Sequence, residues 1–392
     1  MKKIEGGICA VPGVRAAGVR RGKYGLALIA ASGTAAGMFT TNRVRAAPLE
    51  VTAQNLAGGR LDGVIANSGC ANAYTGPRGL EDARTMARLM AGFLGTDETK
   101  IGVASTGVIG RYLDLNQIQE LFQEGTANLR SDGSASMDAE KAIMTTDTKP
   151  KEIAVEHNGL RVGGIVKGAG MIEPNMATML CFLYTDATIS AERLHRCLAE
   201  AVKDSFNMLT VDGDTSTNDT VLITATGRAK GREEDLLEAL RYVCTELARM
   251  MARDGEGASK YFEVVVRGAA SEKDARLAAK AVARSSLVKT AVFGADPNWG
   301  RIICAVGYSG AEMDPARISL GLEGGSGDGS RIQVSLVDKG RIVDGVLNRA
   351  REIMKGEEII INLDLSLGSA SARGFGCDLT HEYVNVNANY TT

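Results

Sequence analysis

Apolar residues along this chain follow two patterns. Short continuous runs bounded by Gly or Asn, Tyr24–Ser32 (YGLALIAAS) and Gly63–Asn67, suit buried strands. Between them, Glu81–Leu94 sets Ala83, Met86, Met90 and Phe93 on one face of a predicted helix. Ile101–Thr106 reads as a strand ending in Thr-Gly, and Leu113–Phe122 returns to helical spacing through Leu115, Ile118 and Phe122. The second half behaves likewise. Thr178–Asp186 (TMLCFLYTD) is a near-continuous apolar strand. Ser190 is placed to cap a helix with the stripe Leu194, Cys197, Leu198, Val202, Phe206 and Leu209. Leu236–Met251 is the clearest helix, Tyr261–Tyr308 reads strand, helix, strand, and Glu358–Leu365 alternates as a half-buried strand. Strands and helices alternating in this way predict layered α/β architecture, without setting the strand order. No internal repeat or low-complexity linker divides the chain. Ser131–Met137, Gly227–Glu234 and Gly324–Ser330 are the polar or Gly-rich candidates for boundaries.

Length and composition narrow the classes. The 392 residues leave room for two or three domains and a sizeable core. A formal charge of −2 and 5% aromatic residues argue against a nucleic-acid partner, since neither a basic excess nor a stacking platform is present. Glycine, 47 residues, is in excess while Pro is only 7, which indicates many tight turns and close backbone approaches. The seven cysteines are widely spaced, with no C-x-x-C, so no zinc ribbon or redox motif is expected. The Lys2-Lys3 start has no apolar stretch behind it, and no apolar run reaches the roughly 18 residues of a membrane span. A cytoplasmic protein with no membrane partner is the expectation.

The chemistry is defined first by what is missing. The three histidines, His157, His195 and His381, form no H-E-x-x-H, and G-x-S-x-G, P-loop and strict G-x-G-x-x-G patterns are absent. No metal and no bound cofactor is expected. What remains is a set of small polar clusters at strand ends: Asn67–Asn72, Ser105–Gly107, Thr145–Thr148, Lys167–Gly170 and Asp212–Asp219. Each alone reads as a turn with local side-chain hydrogen bonds. Five together supply the hydroxyls, amides and backbone N–H groups of a metal-free site for a small polar substrate. Within Lys167–Leu180 (KGAGMIEPNMATML), a Gly-rich loop leads to a threonine opening a buried strand. That position is ordinary as structure. It also suits an N-terminal nucleophile if the Ala177–Thr178 bond is cut, because a free α-amine with a pKa of about 7.7–8.0 can accept the hydroxyl proton.

KGAGMIEPNMATML closely resembles the self-cleavage motif of the ornithine acetyltransferases, or glutamate N-acetyltransferases, of arginine biosynthesis. The likeness continues through NSGCANAYTG, STGVIG, IMTTDT, DGDTSTND, GADPNWGR and YVNVNANYTT, in the expected order over essentially the whole chain. The resemblance implies a layered α/β sandwich that is similar to the N-terminal-nucleophile hydrolases but has its own connectivity. It implies autoproteolysis between Ala177 and Thr178, giving chains 1–177 and 178–392 that co-fold into one αβ unit and assemble as α2β2. Thr178 would then carry acetyl from N2-acetylornithine to glutamate in a ping-pong reaction. Thr106 and Gly107 would line the oxyanion hole, and Thr145, Lys167, Thr178, Glu256, Asn387 and Thr392 would contact substrate. Some members of that family also acetylate glutamate from acetyl-CoA, and no residue here decides between one activity and two.

The tail departs from the family pattern. Where the family commonly has Asn-Ala-Asp-Tyr-Arg and then Ser or Thr, this chain has Asn387-Ala388-Asn389-Tyr390-Thr391-Thr392, without the acid or the base. Two other readings of the same residues stand beside the transferase. One is a related aminopeptidase or amidase that passes the acyl group to water. The other is an uncleaved Gly-rich binding protein, in which Thr178→Ala would leave ligand binding unchanged.

Overall fold

The structure, a computed structural model, describes residues 1–173, 179–325 and 331–388. They form two compact units, Met1–Asn207 with Asp214–Met251, and Met208–Gly213 with Ala252–Thr391. None of the three polar stretches suggested by the sequence marks that division.

The strands of the first half are β1 (Lys2–Ile4), β2 (Arg15–Arg21), β3 (Tyr24–Phe39), β4 (Arg60–Cys70), β5 (Ile101–Val108), β6 (Glu152–His157), β7 (Leu160–Lys167), β8 (Leu180–Ala187), β9 (Leu209–Thr210) and β10 (Thr220–Ala229). All but β9 build the sheet of the first unit, nine-stranded among the described residues, in the order β1-β6-β7-β8-β10-β3-β4-β5, with β2 also on β3. Two neighbouring pairs are parallel, β8 with β10 and β4 with β5. Its helices are α1 (Ala47–Asn55), α2 (Gly76–Leu94), α3 (Leu115–Ala127), α4 (Gly133–Ile143), α5 (Ala191–Lys203) and α6 (Glu233–Arg253).

Both faces of this sheet are covered, so the first half of β3, from Gly25 to Ala31, is continuously buried and apolar instead of alternating. Leu26, Leu28 and Ala30 join Met86 and Met90 of α2 and Leu121 of α3 in one core. Ala27, Ile29 and Ala31 meet Ala135, Ala139 and Ile143 of α4 on the other. Alanine there, and glycine on the strands, let α4 lie against the sheet backbone. A Cβ on Gly25 would fall 2.0 Å from the Ala142 carbonyl oxygen. This is one of the close approaches anticipated from the glycine excess.

The second unit contains β11 (Tyr261–Ala269), β12 (Ser319–Gly325), β13 (Arg331–Asp338), β14 (Arg341–Ile342), β15 (Glu358–Asp364) and β16 (Ala370–Cys377). With β9 they form a sheet ordered β14-β13-β12-β15-β11-β16-β9. Its helices are α7 (Glu272–Arg284), α8 (Ser286–Phe293), α9 (Trp299–Gly307), α10 (Leu347–Lys355) and α11 (His381–Ala388).

The layered α/β class is as expected, and several local expectations need correction. Tyr261–Tyr308 is one strand followed by three helices. The short apolar run in α9 carries no period of its own, but Ile302, Ala305 and Val306 bury one helical face. Ser131–Met137 is no linker. Asp132 accepts the Ala135 N–H at 3.1 Å and starts α4 there. Ser190 does cap α5, accepting from Arg193 N–H, but the helix ends at Lys203, so Phe206 and Leu209 lie beyond it. The strand expected from Thr178 is described from Leu180, Thr178 itself lying outside the described residues. Among the described residues no helix is long and apolar enough to cross a membrane.

Candidate active site

Thr106 and Gly107 end β5 beside β4. Their parallel register runs Ser68 to Thr106 and Gly69 to Gly107, then slips, with Cys70 opposite both Thr106 and Val108. Such a bulge re-aims the residues it contains. Gly107 sits at φ +130°, and a Cβ there would lie 2.4 Å from the Gly69 carbonyl carbon and 2.6 Å from Cys70 N, both backbone atoms. Only glycine fits. The result is a half-buried hydroxyl followed by a half-buried glycine peptide at a strand end.

Beneath them the polar clusters are cross-linked. Ser105 Oγ donates to Asn67 Oδ1 at 2.6 Å, and Asn67 Nδ2 donates to the Cys70 carbonyl at 2.9 Å. Asn218 Nδ2 donates to the carbonyls of Ala71 (2.6 Å) and Ser105 (2.8 Å). All of these side chains are buried. Asn67, Ser105 and Asn218, one from each of three sequence clusters, thus tie into one hydrogen-bonded platform.

Lys167, at the end of β7 and only 7% exposed, joins two more clusters. Its Nζ donates to Thr145 Oγ1 at 2.7 Å and Thr106 Oγ1 at 3.3 Å. Asp147 stands behind it, Oδ2 lying 3.9 Å from Lys167 Nζ. The same carboxylate accepts from Lys151 Nζ at 2.7 Å, Gly168 N–H at 2.6 Å and Thr145 N–H at 3.1 Å. Burial alone would push Asp147 up. The Lys167 and Lys151 ammonium groups and the Thr145 N–H outweigh it and hold the carboxyl at about 2. Glu140 of α4 lies in the same buried cluster with neither carboxyl oxygen hydrogen-bonded in good geometry. Burial, reinforced by the Asp147 charge, pushes it up to about 8; the Lys151 ammonium and backbone N–H oppose this only in part.

The predicted residues Thr106, Gly107, Thr145 and Lys167 therefore converge. An ammonium, two hydroxyls and a kinked glycine peptide in a largely desolvated place suit an oxyanion or carboxylate. Asp147 falls inside the Thr145–Thr148 cluster without a role of its own there, and Lys151 and Glu140 are not singled out from the sequence. Only the four-residue spacing of Asp147 and Lys151 hinted at a pair.

Ala177 and Thr178 lie outside the described residues, but both flanks of their segment are anchored to 214–220. Glu173 N–H donates to the Asp214 carbonyl (2.8 Å), Thr215 Oγ1 to the Glu173 carbonyl (3.0 Å), and Thr220 N–H to the Met179 carbonyl (2.9 Å).

In the second unit, Asn387 Nδ2 donates to Glu256 Oε2 at 2.9 Å and to the Tyr383 carbonyl at 3.0 Å. Thr380 Oγ1 donates to the Gly257 carbonyl at 2.6 Å, tying the Glu256 turn to the start of α11. Glu256 and Asn387 are thus brought together, while Thr392 lies outside the described residues. The histidines stand elsewhere: His157 faces Glu238 at 3.2 Å and His381 meets the edge of Phe293. Among the described residues no three His, Cys, Asp or Glu side chains are grouped to hold a metal ion.

Comparison with known proteins bears on what this site serves. The ArgJ family model matches residues 12–392. The glutamate N-acetyltransferase of Methanothermobacter thermautotrophicus is 52% identical over 403 residues, spanning 100% of this chain and 99% of that protein. The arginine biosynthesis bifunctional protein ArgJ of Archaeoglobus fulgidus is 50% identical over 386 residues, covering 97% and 99% respectively. Among solved structures, the arginine biosynthesis bifunctional protein ArgJ from Bacillus halodurans is 38% identical, covers 52% of this chain and 96% of that one, and superposes with a TM-score of 0.48. The chain belongs to the ArgJ family and is an acyltransferase.

Proposed function

We propose that this protein moves an acetyl group from N2-acetyl-L-ornithine to L-glutamate through an ester on Thr178, after cutting its own chain between Ala177 and Thr178. The observation that carries the reading is the buried Lys167 ammonium bonded to both the Thr106 and Thr145 hydroxyls beside the Gly107 kink. In this mechanism the new α-amine of Thr178 accepts the hydroxyl proton as Oγ attacks the acetyl carbon. The Thr106 hydroxyl and Gly107 N–H receive the developing oxyanion, where one such donor is worth about 2.7–4 kcal/mol. Ornithine leaves with the proton on its amine. The glutamate amine then attacks the ester and restores the threonine.

Lys167 and Thr145 bind a substrate carboxylate, Lys167 as a point charge. Glu256 receives an ammonium, and Asn387, which bonds to its carboxylate, and Thr392 complete the contacts. The names of the relatives, glutamate N-acetyltransferase and arginine biosynthesis bifunctional protein, support glutamate as the acetyl acceptor and a place in arginine biosynthesis. No bound cofactor is required. Acetyl-CoA enters, if at all, as a second acetyl donor.

Denaturing mass spectrometry of the purified protein tests the first step. Dividing 41.2 kDa at residue 177 gives fragments of about 19 and 23 kDa, the heavier beginning at Thr178. A single species near 41.2 kDa refutes self-cleavage. Ornithine release measured with and without glutamate then separates transfer from hydrolysis. Thr178→Ala should abolish both cleavage and transfer, Thr178→Ser should keep part of each, and normal transfer by the alanine variant refutes the mechanism.

A further inference from the structure

Two buried lysines share one carboxylate. Asp147 lies between α4 and β6 with its side chain closed off from solvent, and Lys151, four residues on, is 1% exposed. The sharing is uneven. Asp147 Oδ1 accepts from Lys151 Nζ at 2.7 Å and from Gly168 N–H at 2.6 Å. Lys167 Nζ stands 3.9 Å from Oδ2, beyond hydrogen-bond reach, and donates instead to the Thr145 and Thr106 hydroxyls.

The same carboxylate grips both backbone segments that carry the proposed ligands of a substrate carboxylate. Thr145 N–H donates to Oδ2 at 3.1 Å, and the Gly168 N–H belongs to the peptide that follows Lys167. Lys151 is fastened in turn, its Nζ donating to the Lys149 carbonyl at 3.2 Å and its own carbonyl accepting Val166 N–H at 3.0 Å. A carboxylate buried beside one ammonium pairs with it closely, because that contact offsets the desolvation of both. An ammonium so paired attracts a second carboxylate only weakly. With Lys151 as the close partner, Asp147 can hold the frame of the site while Lys167 remains at the two hydroxyls.

We propose that Lys151 and Asp147 are positioning residues for the carboxylate subsite, Lys151 occupying Asp147 so that the Lys167 ammonium keeps its place and its charge is directed to substrate. This rests on the assignment of Lys167 and Thr145 to a substrate carboxylate made above. Neither positioning residue touches substrate; both act through Lys167. Removing the Lys151 charge leaves Asp147 to Lys167, draws the two together and weakens the hold on an incoming carboxylate.

Calorimetric titration of the purified protein with L-ornithine and with L-ornithine amide, whose carboxylate is replaced by a neutral carboxamide, reads this subsite. The ratio of the two dissociation constants does not depend on how much of a sample is competent to bind. Wild type should prefer ornithine by about 10- to 10²-fold, and Lys167→Met should remove the preference. Lys151→Met should bring it below about threefold. Adding Asp147→Asn to Lys151→Met takes away the competing charge and should restore most of it. Lys151→Gln, which still donates to Asp147 but carries no charge, has the same expectation as Lys151→Met and serves if that variant does not fold. Either single variant melting normally with the wild-type preference overturns the assignment. So does a double variant that prefers ornithine no more than Lys151→Met, since packing alone would then account for the loss. A wild type that binds both ligands alike, or a Lys167→Met protein that keeps the preference, overturns instead the carboxylate reading of Lys167, a distinct outcome.

Discussion

Replacing Glu140 by glutamine should change how stability depends on pH. In the folded protein this carboxyl sits at about 8, against an ordinary 4.5 that also applies to the unfolded chain. The native state therefore binds one more proton than the unfolded state between these values, and stability falls as pH rises through the window. The contribution is intact below about pH 4.5 and lost above about pH 8. With 1.36 kcal/mol per pKa unit, protonating Glu140 in the fold costs about 3 kcal/mol at pH 7. From about pH 5.5 to about pH 7.5 the wild type should lose about 2.5 kcal/mol that Glu140→Gln does not lose. Urea unfolding of both proteins at the two pH values measures this directly, because the buried amide of the variant contributes equally at each. Parallel pH profiles would refute the argument and mean that Glu140 is ionised in the fold or reached by water.

Two further substitutions probe the platform. Gly107→Ala places a Cβ 2.4 Å from a fixed backbone atom at φ +130°. Strain and overpacking together should cost about 2–5 kcal/mol in melting experiments, and on the proposed mechanism, in which Thr106 and Gly107 receive the oxyanion, kcat should fall by about 10²–10³; wild-type turnover would show that the kink serves no catalytic purpose. Asn218→Ala strips the buried Ala71 and Ser105 carbonyls of their shared donor, so a loss of about 2–4 kcal/mol is expected in denaturant unfolding, and a neutral result would mean that water replaces the amide.

Buried strands and long amphipathic helices were readable from pattern because they bury wide, regular faces. β3 shows the limit. Its apolar start was evident, but its continuation to Phe39 through Ser32, Gly33, Thr34 and Gly37 was not, since small residues there answer to neighbouring backbone and not to a period. α9 reads as a strand from sequence because its eight apolar and small residues around Arg301 fit either element, and the choice is made by the face they bury. At the site, the polar clusters announced themselves as runs of Gly, Thr, Ser and Asn. The charges supporting them did not. Glu140 looks like any solvated helix glutamate until α4 presses onto the sheet, and Lys151 like any solvated loop lysine.

The strand order of the first sheet has a consequence for the history of each molecule. β8 and β10 follow position 178, yet they lie between β7 and β3, which precede it. Every residue of β8 is buried. A polypeptide beginning at 178 would therefore emerge with both flanks of that strand pair bare, two adhesive edges inviting aggregation. Chain scission at 177 is harmless only once the earlier strands have closed around the later ones. A broken backbone in this protein would then certify that assembly had already finished, and separately translated halves would have no comparable safeguard.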